Sequence, residues 1–144
     1  MRHRFVPLLL GVALLVGVVG GTTLTASASG VKATGGGTTS ATAANGDFLA
    51  FTGQIQNKGS TVGQVQWNDH SGAKYHGVVT CIYVLGSFAA LAGYLDNGAL
   101  FTLFVVDGGK GNTDYMEFVY GSFYCGPALF EGEAVVKGDI VVRS

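Results

Sequence analysis

The chain has 144 residues, of which 48% are hydrophobic and 12% charged, with a formal net charge of −1, 24 glycines and 2 cysteines. That length supports one domain. The near-neutral charge balance excludes a disordered polyelectrolyte and a nucleic-acid binder built on a basic surface.

The first segment divides into three parts. Arg2, His3 and Arg4 give a basic start, Phe5 to Gly20 form an apolar run, and Ala26-Ser27-Ala28 places small residues at a cleavage site. This is the layout of a secretory signal peptide over residues 1–28. The apolar run covers 16 residues and is diluted by Gly11, Gly17 and Gly20. A retained spanning helix, the alternative, needs about 18 or more. The expectation is therefore a secreted, extracellular chain with no membrane contact once the signal is removed. Residues 29–46 are a low-complexity stretch of Gly, Thr, Ser and Ala, including Gly35-Gly36-Gly37 and Thr38-Thr39-Ser40. Such composition buries little apolar surface and reads as a linker. The alternative is a Thr-rich edge strand in its second half.

From Asp47 onward the apolar period is two. Phe51, Gly53 and Ile55 share one face; Val65 and Trp67 share the next, with Gln64 and Gln66 opposite. Tyr75, Gly77, Val79, Cys81, Tyr83 and Leu85 alternate with a second set that is also apolar through its middle. Phe88, Ala90, Ala92 and Tyr94 form a further face, as do Phe101, Leu103 and Val105. Met116, Phe118 and Tyr120 come next, with Glu117 on the opposite, solvent-facing side. Ala134 to Val136 and Ile140 to Val142 read as two short closing strands. Val, Phe, Tyr and Thr suit a pleated surface. The breaks carry Gly and Asn for positive φ, and Asn97-Gly98 is the strongest hairpin signal. The pattern predicts an all-β domain over residues 47–144, an antiparallel β-sandwich or small β-barrel of about eight short strands, with no helix.

Two cysteines in an exported chain predict a disulfide between Cys81 and Cys125, closing a loop of about 44 residues. Chain entropy assigns such a loop roughly 4 kcal/mol.

The side chains that could carry chemistry are few. His70 and His76 flank a loop with Asp69, a weak pattern for a metal. Asp107, Asn112 and Asp114 surround a glycine-rich loop and are weak calcium candidates, but their spacing is not that of an EF-hand. No Gly-x-Ser-x-Gly elbow occurs. Paired carboxylates for sugar hydrolysis would have to come from Glu117, Glu131 and Glu133. Trp67, beside the polar loop from Asn68 to Gly72, and Tyr75 are the candidate ligand contacts, because flat aromatic faces pack on sugars.

Several short stretches occur together here: Ala33-Thr34-Gly35-Gly36-Gly37 before Phe48 to Phe51, Val79-Thr80-Cys81 before Ala89 to Gly93, Val105-Val106-Asp107-Gly108-Gly109 before Asp114, and the ending Gly138-Asp139-Ile140-Val141-Val142. In this order they resemble a family of small secreted bacterial β-domains of unassigned function, mostly actinobacterial, found alone or appended to larger exported proteins. Where such domains have Asn between the Asp and the Gly of that turn, this chain has Gly108. The resemblance implies fold and export and supplies no catalytic residues. The reading is a non-enzymatic binding or structural module at or outside the cell envelope, with no cofactor. Its partner would be an envelope polysaccharide or protein, not nucleic acid. A small secreted hydrolase and a homophilic surface-assembly protein are the alternatives.

Overall fold

The period-two segments from Phe48 onward are strands, and one further strand precedes them. The computed structural model describes residues 30–39, 47–56 and 59–144, so the signal peptide expected over residues 1–28 lies outside it. Eight strands follow in chain order: β1 Lys32–Thr39, β2 Phe48–Ile55, β3 Thr61–Asn68, β4 Lys74–Leu85, β5 Phe88–Leu95, β6 Leu100–Val106, β7 Tyr115–Tyr120 and β8 Glu133–Arg143. Each pairs antiparallel with its chain neighbours, and β1 pairs with β8, closing an up-and-down barrel. Of the two predicted architectures, the barrel is the one formed, and the described residues contain no helix. No described helix is long and apolar enough to cross a membrane.

Strand β1 lies inside the stretch read as a linker or an edge strand. It is neither, because it pairs with β2 along one side and β8 along the other. Its glycines are required by close approach. A Cβ at Gly36 would strike the Leu49 carbonyl, and one at Gly37 would lie 2.5 Å from the Lys137 carbonyl and 2.6 Å from Val135 Cγ1. A low-complexity composition thus records tight packing between strands.

Two other strands depart from the sequence pattern. In β4 the register with β5 steps between Val79 and Cys81, leaving Thr80 as a bulge. Val79 and Gly77 face inward before it; Ile82 and Val84 pack on the core after it. That switch explains why β4 reads as apolar on both faces. The two short closing strands are one strand, β8, whose register with β1 shifts opposite Thr38 and Thr39. The predicted hairpin at Asn97-Gly98 forms, with Gly98 at φ 83° and the Asn97 side chain accepting from the Ala99 N–H.

The barrel interior is filled. Leu49, Phe51, Val65, Val79, Leu91, Leu103, Val105 and Ile140 are all buried in one cluster. A filled apolar interior is the reverse of the polar lumen of a water-filled transmembrane barrel. At the end of the barrel holding the β3–β4 and β5–β6 turns, aromatic rings stack across the interior. Phe101 lies 5.5 Å from Phe118, Phe118 4.2 Å from Trp67, and Trp67 5.0 Å from Tyr75.

The connection from Tyr120 to Glu133 runs outside the barrel as a strap over β5 and β6. Cys125 in the strap is joined to Cys81 on β4, the predicted disulfide, with Cα atoms 6.2 Å apart. Thr102, fully buried on the outer side of β6, donates its hydroxyl to the Ser122 carbonyl and accepts the Tyr124 N–H at 2.8 Å. Phe130 packs on Phe88 and Phe104, and Phe123 on Tyr94. These contacts bury Ala90, Ala92 and Phe104 on what would otherwise be an apolar outer surface.

Strands β7 and β8 share only two ladder pairs, Tyr115 with Ala134 and Met116 with Glu133. Carboxylates complete the closure. Asp114 Oδ2 accepts the Ile140 N–H at 2.7 Å, and Asp107 Oδ2 accepts the Val142 N–H at 3.0 Å. Asp114 is buried, and its second oxygen accepts the Gly108 N–H at 2.8 Å. Both acids thereby stand in for strand carbonyls along β8.

Two outcomes follow from this construction. Asp114→Asn turns one acceptor into a donor facing an N–H, and should lower unfolding free energy by about 1–3 kcal/mol in urea melts. Replacing both cysteines by Ala should cost about 2–4 kcal/mol. It should also make the strap between Gly121 and Gly132 the first site of limited proteolysis, with the barrel still giving a cooperative melt.

Candidate functional site: the split between β7 and β8

Past Met116 the β7 edge has no β8 residue beside it. The ladder would continue by pairing Phe118 with Glu131 and Tyr120 with Leu129, but those residues belong to the strap. The wall of the barrel is therefore split along the second half of β7. A cavity of about 200 Å³ opens there, lined by residues from both faces of β7: Met116 and Phe118 from the inner face, Glu117 from the outer. Leu49 from β2 and Trp67 from β3 complete an apolar floor, and Thr39 from the end of β1 borders it.

The rim is acidic. Asp47, Glu117, Glu131 and Glu133 all line the cavity. Asp47 is already engaged: its carboxylate accepts the Trp67 Nε1–H at 3.3 Å and the His70 N–H at 2.9 Å, and lies 3.2 Å from His70 Nδ1. These bonds fix the indole edge and tie the β3–β4 turn to the start of β2. Glu117, Glu131 and Glu133 have no ion-pair partner among the described residues. Three carboxylates without a counter-charge beside an apolar floor make a site that favours a cation carried on an apolar stem.

The residues singled out from sequence are placed as follows. Trp67 and Tyr75 sit together, both half-buried, in the stacked aromatic array; Trp67 has its faces against Tyr75 and Phe118 and lines the cavity. The geometry is not that of a flat ring offered on the surface. Asp107, Asn112 and Asp114 do share one loop, and their polar atoms are used by the backbone. Asp107 Oδ1 accepts from Gly109, Asn112 Nδ2 donates to the Gly108 carbonyl, and Asp114 binds Gly108 and Ile140. His70 is paired with Asp47, whereas His76 is exposed on β4. No group of three or more His, Cys, Asp or Glu placed to hold a metal occurs among the described residues.

Sequence reading reached the three glutamates but not the site, since the gathering depends on the missing ladder. Leu49, Met116 and Thr39 carried no signal of their own. The only trace was the interval between Tyr120 and Glu133, long and without strand periodicity.

The turn beside the site carries its own titration. Asp69 Oδ1 accepts the Ser71 hydroxyl at 2.5 Å and the backbone N–H groups of Ser71 and Ala73. The Ser71 hydroxyl above all, then the Ala73 and Ser71 amides and nearby His70, hold the carboxyl below its ordinary value against a smaller opposing desolvation. A carboxyl lowered in the folded state adds stability above its unfolded pKa, and that stability is lost as pH falls through the folded one. Ser71→Ala should move the Asp69 titration upward in carboxyl-carbon NMR, and the β3–β4 turn should then loosen at a higher pH on acidification.

Comparison of the chain with family models, with curated proteins and with solved structures gives no match.

Proposed function

We propose that this chain is an exported, non-enzymatic binding module acting at or outside the cell envelope, and that its binding site is the split between β7 and β8. The observation that carries the reading is a cavity in which an apolar floor of Leu49, Trp67, Met116 and Phe118 meets the carboxylates of Glu117, Glu131 and Glu133, which have no ion-pair partner among the described residues. Export is supported by the signal-peptide pattern of residues 1–28 and by the resemblance to small secreted bacterial β-domains. The Cys81–Cys125 bond is compatible with an extracellular location.

Binding is favoured over hydrolysis by size. Pockets for whole small molecules measure about 300–1,000 Å³. A cavity of about 200 Å³ admits one side chain or a comparable fragment. The hydrolase reading draws on the same three carboxylates and is tested in the same assay.

Trp67 is the only tryptophan of the chain and lies in the cavity wall, so its emission reports occupancy. Titration with solubilised envelope polysaccharide and with envelope peptide fractions should shift that emission saturably, with no new reducing ends or free amines released. Glu117→Gln with Glu131→Gln should weaken the response. Binding that leaves Trp67 emission unchanged would place the site elsewhere; product release abolished by the same substitutions would establish the hydrolase instead.

A further inference from the structure

We infer that the split takes an extended peptide bearing a lysine or arginine, added as a short strand to the edge of β7 that has no ladder partner among the described residues. This rests on the reading of the split as the binding site and names its guest. The argument begins with the backbone. The Val135 N–H donates to the Asp114 carbonyl, and the Gly121 N–H donates to the Leu100 carbonyl on the other side. Alternate residues of a strand direct their N–H and C=O groups to the same neighbour. Asp114, Met116, Phe118 and Tyr120 therefore face the β8 side, and Val119 and Gly121 face β6. With the β7–β8 ladder ending at Met116 and Glu133, Phe118 and Tyr120 present their N–H and C=O groups to the split with no ladder partner among the described residues. Such an edge is a template for another strand.

The side chains select what that strand carries. The wall is open from outside to inside at this point, so an added strand has one face toward the floor and one toward solvent. Glu117 stands on the outer side of β7; Glu133, opposite Met116, stands on the inner side. A side chain entering the cavity passes Met116 and Phe118 and ends among carboxylates that have no ion-pair partner among the described residues. An aliphatic stem with a cationic head satisfies both parts, and lysine and arginine are the side chains built that way. The cavity volume agrees, being that of one such side chain and not of a whole ligand. A polyamine shares the head and stem but brings no backbone, so it would leave the edge of Phe118 and Tyr120 unused.

The test uses the secreted protein and four probes read by Trp67 emission and by calorimetry. They are a capped hexapeptide of alternating lysine and valine, the same peptide with alternate backbone amides N-methylated in each register, a glutamate–valine hexapeptide, and spermidine. The lysine–valine peptide should bind saturably at low salt. N-methylation in one register should weaken it about tenfold, the loss of two or so edge hydrogen bonds. Glu117→Gln with Glu133→Gln should weaken it about tenfold as well, while the glutamate–valine peptide should not bind. Equal affinity for both N-methylated peptides, or spermidine as tight as the peptide, would overturn strand addition. Failure of the lysine–valine peptide would overturn it too. If Trp67 still responds to envelope fractions in that case, the split remains the site with another guest; if it responds to nothing, the broader reading falls with it.

Discussion

Closure of the barrel between β7 and β8 is the constraint on which the rest depends. Seven of the eight strand contacts are ladders of five or more residue pairs; this one retains two and is completed by Asp107 and Asp114 acting on Val142 and Ile140. A carboxylate can replace a strand carbonyl because it accepts the same N–H at the same distance, and its charge strengthens the bond. It can do so only from a loop that is itself held still. The glycine-rich β6–β7 loop meets that condition by folding its own amides onto the same two acids. Loop and strand are therefore ordered by one set of hydrogen bonds, and loss of either acid releases both.

The reason the ladder stops lies in the strap. A direct β7–β8 hairpin would zip Phe118 and Tyr120 against the residues that follow. The chain instead crosses β5 and β6, is tied to β4 through Cys125, and returns only at Glu133. Burying Ala90, Ala92, Thr102 and Phe104 under the strap removes apolar surface from water, at roughly 25 cal/mol per Å². That gain offsets the strand pairs that β7 forgoes. The disulfide and the split are thus two consequences of one route taken by the chain.

Much of this was legible in the sequence, and the misreadings have definite causes. The alternation of Phe101, Leu103 and Val105 identified β6 because each side chain meets one environment, core or exterior. The Cys81–Cys125 pairing followed from count and compartment. Strand β1 was read as a linker or edge because glycine carries no hydropathy pattern, although here glycine is demanded by the backbones of β2 and β8. The bulge at Thr80 inverted the facing of the second half of β4, and periodicity alone cannot register a skipped residue. The sequence pattern and the structure both contain eight strands partly by compensation: the alternating segments leave out β1, and β8 reads as two of them. The site was less visible still, because it is made by a ladder that ends, and an ending is a property of two strands together.

In the proposed reading the barrel binds through its wall and not through its centre. With Leu91, Phe101 and Leu103 fully buried, the centre has no room for a whole ligand, unlike eight-stranded barrels that hold a small ligand there, and the cavity at the split admits a side chain only. One outer face lies under the strap. A complete barrel wall offers no backbone groups to a partner. In the proposed reading the edge at Phe118 and Tyr120, which has no ladder partner among the described residues, supplies those groups while staying too short to recruit further strands of the same kind. Under the same proposal the carboxylates of Glu117, Glu131 and Glu133 serve the same end, since an identical acidic rim on a second copy would be repelled while a cationic partner would not.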